Sequence, residues 1–404
     1  MKRLLCLLLA LALLPVLSLA EGADDLEIEE IIEDIIIDEN GNEILVDEDT
    51  GEAFILSETQ QEELEALDET IDTSVDPDSL ELNPNLPDHV INILLLGTDG
   101  RDARYKTLKE AQEADGDGDS KGIRQRADVW MIVSIDTQNG TIKLSSLLRD
   151  IYLSVPGYKS KTKITNIFDY TNREGNHGAN AELCMRTLNH HFELNIQNYI
   201  AINFYGLASI IDSIGGVDID LTKAEAKAIN TYLKKNANKI AKTYDTKAKG
   251  ERVSLKAENG VQHLDGVQAV MYARLRHTTS TTGLEGDFGR TERQRHLMEI
   301  LLQSVMADIS VDKLLNLVGT SIDYASTNMN VETMFNLALQ MIPSIVKRLG
   351  SEEGLVEQFR IPLNKTYTYE TIDGASVVFM SSANLQKNKE ALHEFIYGAY
   401  LPAE

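Results

Sequence analysis

From residue 91 to residue 96 the chain is apolar apart from Asn92, and the run ends abruptly in Gly97-Thr98-Asp99-Gly100-Arg101. So short and apolar a stretch reads as a buried strand emptying into a loop. In α/β folds that loop edge is where ligands bind. Two more strand-like stretches, 129–135 and 141–146, flank Asn139-Gly140, the residue pair of a tight antiparallel hairpin. Arg126 and Asp128 precede the first of them, and Arg149 and Asp150 follow the second. The entry of one antiparallel strand lies beside the exit of its partner, so both polar pairs emerge at the same end.

Helix-like segments alternate with these strands. Leu183, Met185, Leu188 and Phe192 follow Lys163-Ile164-Thr165-Asn166 and an aromatic stretch at helical spacing. Apolar segments at 199–204 and 207–214 lead through Gly215-Gly216 to a strand expected at 217–221, and a basic, polar helical region covers 223–249. Beyond Ala307 two or three helices and a strand near 376–380 complete an α/β pattern.

The formal charge of -26 belongs to one end of the molecule. Residues 21–90 hold 26 acids and no Lys or Arg, whereas 91–404 balance 38 acids with 36 bases. A nearly neutral body lacks the broad cationic surface that nucleic-acid binding needs, and no nucleic-acid partner is expected. Lys2-Arg3, the apolar run from Leu4 to Leu14, Pro15 and Ser18-Leu19-Ala20 make residues 1–20 an export signal. The 17 residues 4–20 are also at the lower limit for one membrane span, so cleaved signal and retained anchor both stay open. Either way the protein is expected outside the cytoplasm. Residues 21–71 form an acidic appendage, read as either a small hairpin around Asn40-Gly41 or a disordered, charge-repelled arm, and Ser57 with Gln60 can cap a short acidic helix to about Ile71. Pro77, Pro84 and Pro87 mark 72–89 as a linker. With Cys6 inside the signal, Cys184 stands alone and reads as a buried thiol.

The densest chemistry lies in Tyr272-Ala-Arg274-Leu-Arg276-His277 and Gly286-Asp287-Phe288-Gly289-Arg290-Thr-Glu-Arg293-Gln294-Arg295. Val270, Tyr272, Arg274 and Arg276 alternate with Met271, Ala273 and Leu275, which predicts a strand with Arg274 and Arg276 on one face. Gly283, Gly286 and Gly289 predict a flexible loop, and Leu297, Leu301 and Val305 predict a helix from Arg290. Cations at a helix start oppose its dipole, which suggests a ligand rather than helix stability as their reason. Surface salt bridges are the plainer alternative.

Gathered at the loop ends, Asp99, Arg126, Asp128, Arg149, Arg274, Arg276, Asp287 and Arg290 are the residue mix that holds a diphosphate. Arginine forks grip phosphate oxygens, and Mg²⁺ is commonly bound by one or two carboxylates plus substrate phosphates. Other chemistries find no support. Asp115-Gly-Asp117-Gly-Asp119 has Ser120 where a calcium loop needs Gly and Arg126 where it needs Glu. There is no Gly-x-Ser-x-Gly elbow, and His190-His191 cannot converge on one metal.

The ordered series from Asn92-Ile-Leu-Leu-Leu-Gly97-Thr98-Asp99 through Arg126-Ala127-Asp128, Ser146-Leu-Leu-Arg149-Asp150, Ile214-Gly-Gly216-Val-Asp218 and Leu264-Asp-Gly266 to the two arginine motifs resembles the LytR-CpsA-Psr family. The resemblance implies a three-layer α/β sandwich with a mixed central β-sheet flanked by helices, its catalytic domain at 90–307 and a helical and strand extension at 308–404. It also implies transfer of an anionic glycopolymer, such as teichoic acid or capsule, from a polyprenyl diphosphate carrier at the membrane surface to a peptidoglycan hydroxyl. In that family the counterparts of Asp99 and Asp128 hold Mg²⁺, with Mn²⁺ as the alternative ion. The counterparts of Arg126, Arg149, Arg274, Arg276 and Arg290 surround the diphosphate, and Arg149 and Asp287 carry the catalytic expectation. Phe204, Leu207, Ile210, Ile211 and Ile214 are candidates to line a lipid pocket, against a plainer role as core. Ala127 replaces the serine usual in the family. A non-catalytic lipid- or polymer-binding protein and a diphosphate hydrolase remain alternatives. Nothing in the residues fixes an oligomeric state.

Overall fold

Strand β3 (Val90–Thr98) occupies the middle of a six-stranded mixed sheet. The computed structural model describes residues 35–37, 43–45, 72–73, 75–98, 126–169, 177–244, 253–307, 325–330, 337 and 356–403. Within the acidic appendage, β1 (Ile35–Ile37) pairs antiparallel with β2 (Glu43–Leu45) around Asn40-Gly41. The capped helix expected from Ser57, the acidic insertion at 105–123 and Asp99 lie outside the described residues.

β3 pairs antiparallel with β4 (Ala127–Asp136), which pairs antiparallel with β5 (Thr141–Leu147) across the Asn139-Gly140 turn. β3 also runs parallel to β8 (Asn198–Asn203), and β8 carries β11 (Ala325–Thr327) on its outer side. At the opposite edge β12 (Val356–Ile361) lies parallel to β5. The parallel pairs need long crossovers, and helices supply them and cover the sheet. A short ribbon of β6 (Tyr152–Ser154) and β7 (Lys161–Lys163) follows β5.

Alternation along β3 and β4 sorts the two faces. Leu94, Leu96, Trp130 and Ile132 are buried in one cluster with α1 (His177–Phe192). The C-terminal α6 (Ser382–Tyr397) adds Leu392 and Ile396 to that cluster. Asn92 is paid for within this layer by partners on every side: Ser134 donates to its Oδ1, and its Nδ2 reaches Asn195 and Tyr397 at 2.7 Å each. The segment expected as a linker is held here too, with Leu80 buried and Asn83 Nδ2 donating to Glu193 O and Leu401 O at 2.9 Å.

The other face meets α2 (Phe204–Ser213), α4 (Gly266–Arg274) and α5 (Gly286–Ala307), with α3 (Lys223–Tyr244) and the ribbon of β9 (Val217–Leu221) and β10 (Gly260–Leu264) behind them. Gly266 permits this layer: a Cβ there would stand 1.9 Å from Ala208 O, so any side chain would push α2 and α4 apart.

The stretch expected as a strand at 270–276 is the helix α4 and its exit. Asp265 caps it by accepting from Gln268 N at 2.8 Å while the Gln268 side chain accepts from Asp265 N at 3.0 Å. Every residue from Gly266 to Ala273 is buried, so the helix shows no polar face and its period is invisible in the sequence. Leu275 then turns to extended backbone, and Arg274 and Arg276 do not share a strand face. The flexible loop is also shorter than expected, because Gly286 opens α5 and Gly289 lies inside it.

Candidate functional site

The two polar pairs do come together at one end of the hairpin. Asp128 is the second residue of β4, and Arg149 stands two residues past β5. Arg149 Nη1 donates to Asp128 Oδ1, and its Nε lies 3.5 Å from Asp150 Oδ2 without a hydrogen bond. Lys163 Nζ holds the other oxygen of Asp150 at 2.8 Å. Burial alone would lower the pKa of Arg149, but Asp128 and Asp150 outweigh it and raise the value.

Asp287, in the first turn of α5, lies 3.0 Å from Arg290 Nη2 and 3.6 Å from Arg276 Nε. Neither approach has hydrogen-bond geometry at Asp287 Oδ1, which is buried and unmatched. Arg290 is only 3% exposed, and its Nε and Nη2 have no acceptor. Burial, with the neighbouring positive charge of Arg149, pushes Arg290 down to about 10, against the pull of Asp287. Asp287 balances the charge, but a buried guanidinium with two donors outside hydrogen-bond geometry is costly unless further acceptors complete it.

The remaining expected arginines stand further out. Arg274 is exposed and lies 4.5 Å above the Phe204 ring. Arg276 is half-buried beside Asp287, and Arg126 is half-buried immediately before β4. His277 is exposed.

Arg293 and Arg295 have structural roles. Arg293 is fully buried; its Nε reaches Glu225 at 2.7 Å, and its Nη1 and Nη2 donate to Leu275 O at 3.1 Å and Thr278 O at 2.6 Å. It thereby fixes the segment that presents Arg274 and Arg276. Arg295 joins α5 to the sheet through Ser146 and through Gln358 at 3.1 Å, and burial pushes it down to about 10.

An apolar trough lies between the sheet and the helices. Leu95, Gly97, Val129 and Met131 form its floor, with Phe204, Leu207, Ile210, Leu297, Met298 and Leu301 above. Gln294, one turn beyond Arg290, lines it as well. Of the five expected lining residues Phe204, Leu207 and Ile210 are present, whereas Ile211 is fully buried between α2 and α4 and Ile214 packs on that same cluster. Adjacent residues of a helix point about 100° apart, so Ile210 faces the trough and Ile211 the core, which a list of apolar residues does not resolve. A Cβ at Gly97 would meet the Val129 side chain at 2.7 Å, so glycine keeps the floor level beside the cluster.

The arrangement defines an α/β protein in which a cluster of arginines and aspartates adjoins, through Val129 and Gln294, an apolar trough. The sequence model of the LytR_cpsA_psr family matches residues 54–394, and the chain belongs to that family. It is 27% identical over 281 residues to "Regulatory protein MsrR" of Staphylococcus aureus (strain COL), covering 69% of this chain and 71% of that protein. It is 25% identical over 284 residues to "Polyisoprenyl-teichoic acid--peptidoglycan teichoic acid transferase TagV" of Bacillus subtilis (strain 168), covering 69% of this chain and 61% of the relative. Among solved structures, "TagT bound to LIIa-WTA" shares the fold at 18% identity and a TM-score of 0.51, over 76% of this chain and 91% of that one.

The sequence reading missed the C-terminal side of the site. Arg360 on β12 stacks 4.2 Å from the ring of Phe288, and Val378 N donates to Asp150 O at 2.8 Å. No local signal points to either contact: Arg360 is placed by β12 pairing with β5, and Val378 by the bridge that its strand makes to Ile151.

Proposed function

We propose that this protein is an extracytoplasmic phosphotransferase that moves an anionic glycopolymer from a polyprenyl diphosphate to a peptidoglycan hydroxyl. The observation that carries this reading is the set of buried guanidinium nitrogens without hydrogen bonds, Arg149 Nε and Arg290 Nε and Nη2, close to an apolar trough that Val129, next to Asp128, and Gln294, one turn beyond Arg290, help to line. Phosphate oxygens are the acceptors such forks fit best, and the trough fits the prenyl chain. Named relatives that include teichoic acid transferases support it.

Asp128, half-buried beside Arg149, suits a hard cation that takes most of its oxygens from the substrate. Asp128 with Asp99 would hold Mg²⁺, or Mn²⁺. When bound, such an ion offsets charge on the diphosphate.

In the proposed step Arg149 and Arg290 hold the diphosphate oxygens, with Arg126, Arg274 and Arg276 at the rim. Asp287 accepts the proton of the peptidoglycan hydroxyl. That oxygen bonds to the sugar-side phosphorus as the bridging P–O bond breaks, and the electron pair leaves with the lipid monophosphate. Arg149 and Arg290 stabilise the charge that develops there. The N-terminal segment would keep the protein at the outer face of the membrane or export it free.

The test is mass spectrometry of products formed by the full chain with Mg²⁺, a polyprenyl diphosphate oligosaccharide and peptidoglycan oligomers. A phosphodiester-linked adduct that Arg149→Ala abolishes is expected. Free sugar phosphate with lipid phosphate would replace this reading with hydrolysis, and unchanged donor retained on the protein would replace it with binding.

A further inference from the structure

A row of π-systems leads away from the ion cluster into solvent. The Arg360 guanidinium covers Phe288 at 4.2 Å, Phe288 meets Tyr367 at 5.5 Å, and Tyr367 meets Tyr369 edge-on at 5.6 Å. Its end, Tyr369 on β13 (Thr368–Ile372), is 59% exposed, more than Tyr158 or Tyr232 elsewhere on the surface. An aromatic ring supported from behind and bare in front is a costly surface feature unless it is covered in use.

The row belongs to the site by position. Phe288 directly follows Asp287. Tyr369 lies opposite Val378 of β14 (Ala375–Phe379), the residue whose amide holds Asp150 O. Burial, with Tyr367, Asp287 and Asp150, raises the Tyr369 phenol against the pull of Arg360.

Its side of the site identifies the occupant. The trough floor comes from β8, β3 and β4, the ion cluster lies at the ends of β4 and β5, and the aromatic row extends from the β5–β12 edge. The cluster therefore separates the trough from the row. In an in-line displacement the attacking oxygen approaches opposite the leaving group. With the lipid phosphate leaving toward the trough, the attacking hydroxyl comes from the side of the row.

We propose that Tyr369, backed by Tyr367, is the stacking platform for a sugar ring of the peptidoglycan acceptor. The inference rests on the transferase reading and deepens it. A pyranose turns one C–H-rich face to such a ring while its rim hydroxyls reach polar atoms, here the Tyr369 hydroxyl.

The test pairs two measurements on the full chain, Tyr369→Ala, Tyr369→Trp and Tyr232→Ala. Calorimetric titration with a peptidoglycan tetrasaccharide needs no catalysis. Expected is an affinity loss of about ten-fold in Tyr369→Ala, retained affinity in Tyr369→Trp, and no change in Tyr232→Ala. In the transfer assay Tyr369→Ala should raise the acceptor KM by about the same factor, with donor KM unchanged. Equal titration curves for wild type and Tyr369→Ala overturn the platform even where transfer proceeds. A change in donor KM alone overturns it in favour of the donor sugar. Absent transfer with Tyr369-dependent titration removes the transferase reading and leaves a saccharide platform.

Discussion

Arg290 and Arg293 lie one turn apart on α5, and water reaches neither of them appreciably. Arg293 hydrogen-bonds Glu225 and two backbone carbonyls, whereas Arg290 approaches Asp287 at 3.0 Å with no hydrogen bond from its Nε or Nη2. The same residue type on the same helix is thus finished in one place and unfinished in the other. A buried cation with its full set of partners holds a fold together; one lacking them is held by the fold for something that arrives later.

The strongest way to break this contrast is to remove the finished arginine. Arg293→Ala leaves Glu225 buried and uncompensated, and denaturant unfolding should show a loss of about 3–5 kcal/mol. Pairing Arg293→Met with Glu225→Leu should recover most of it. Next in size, Arg290→Ala should lower transfer about 10²–10³-fold, with an unfolding midpoint no lower than wild type. A clear drop in midpoint would show that Arg290 is structural after all. Arg274→Ala tests the exposed end of the series. Screened by solvent and stacked on Phe204, it should cost less than about ten-fold in transfer.

The smallest effect is one of pH. Buried His393 donates from Nε2 to Phe192 O at 2.7 Å and accepts Leu401 N–H at Nδ1 at 3.2 Å, as a neutral ring. Burial holds its pKa below the ordinary 6.5. The unfolded chain therefore takes up the proton first, so stability is full above pH 6.5 and declines as pH falls below it. Thermal melts should show a drop of about 2 °C between pH 7 and 5.5, and His393→Gln should flatten it.

Much of this was legible before any coordinates. The run at 91–96 and the Asn139-Gly140 hairpin fixed the middle of the sheet and put Asp128 beside Arg149, because antiparallel geometry follows from sequence order. The site's other wall was harder to read. A helix buried on all sides has no periodicity, so α4 resembled a strand even though Asp265 and Gln268 formed a capping box three residues apart. Arg293 looked like its neighbours because Glu225 is 68 residues away. The contribution of β12 depends on a parallel pairing across about half the chain, and no local pattern encodes such a contact.

That pairing sets an order of assembly. Asp150 emerges early from the ribosome, yet the amide that holds its carbonyl belongs to Val378, and the strand flanking β5 begins only at Val356. A chain cut short before those residues carries every arginine of the cluster and none of its outer wall. Completion of the polypeptide is therefore itself a checkpoint, and nonsense or proteolytic fragments should be inert rather than unruly versions of the whole.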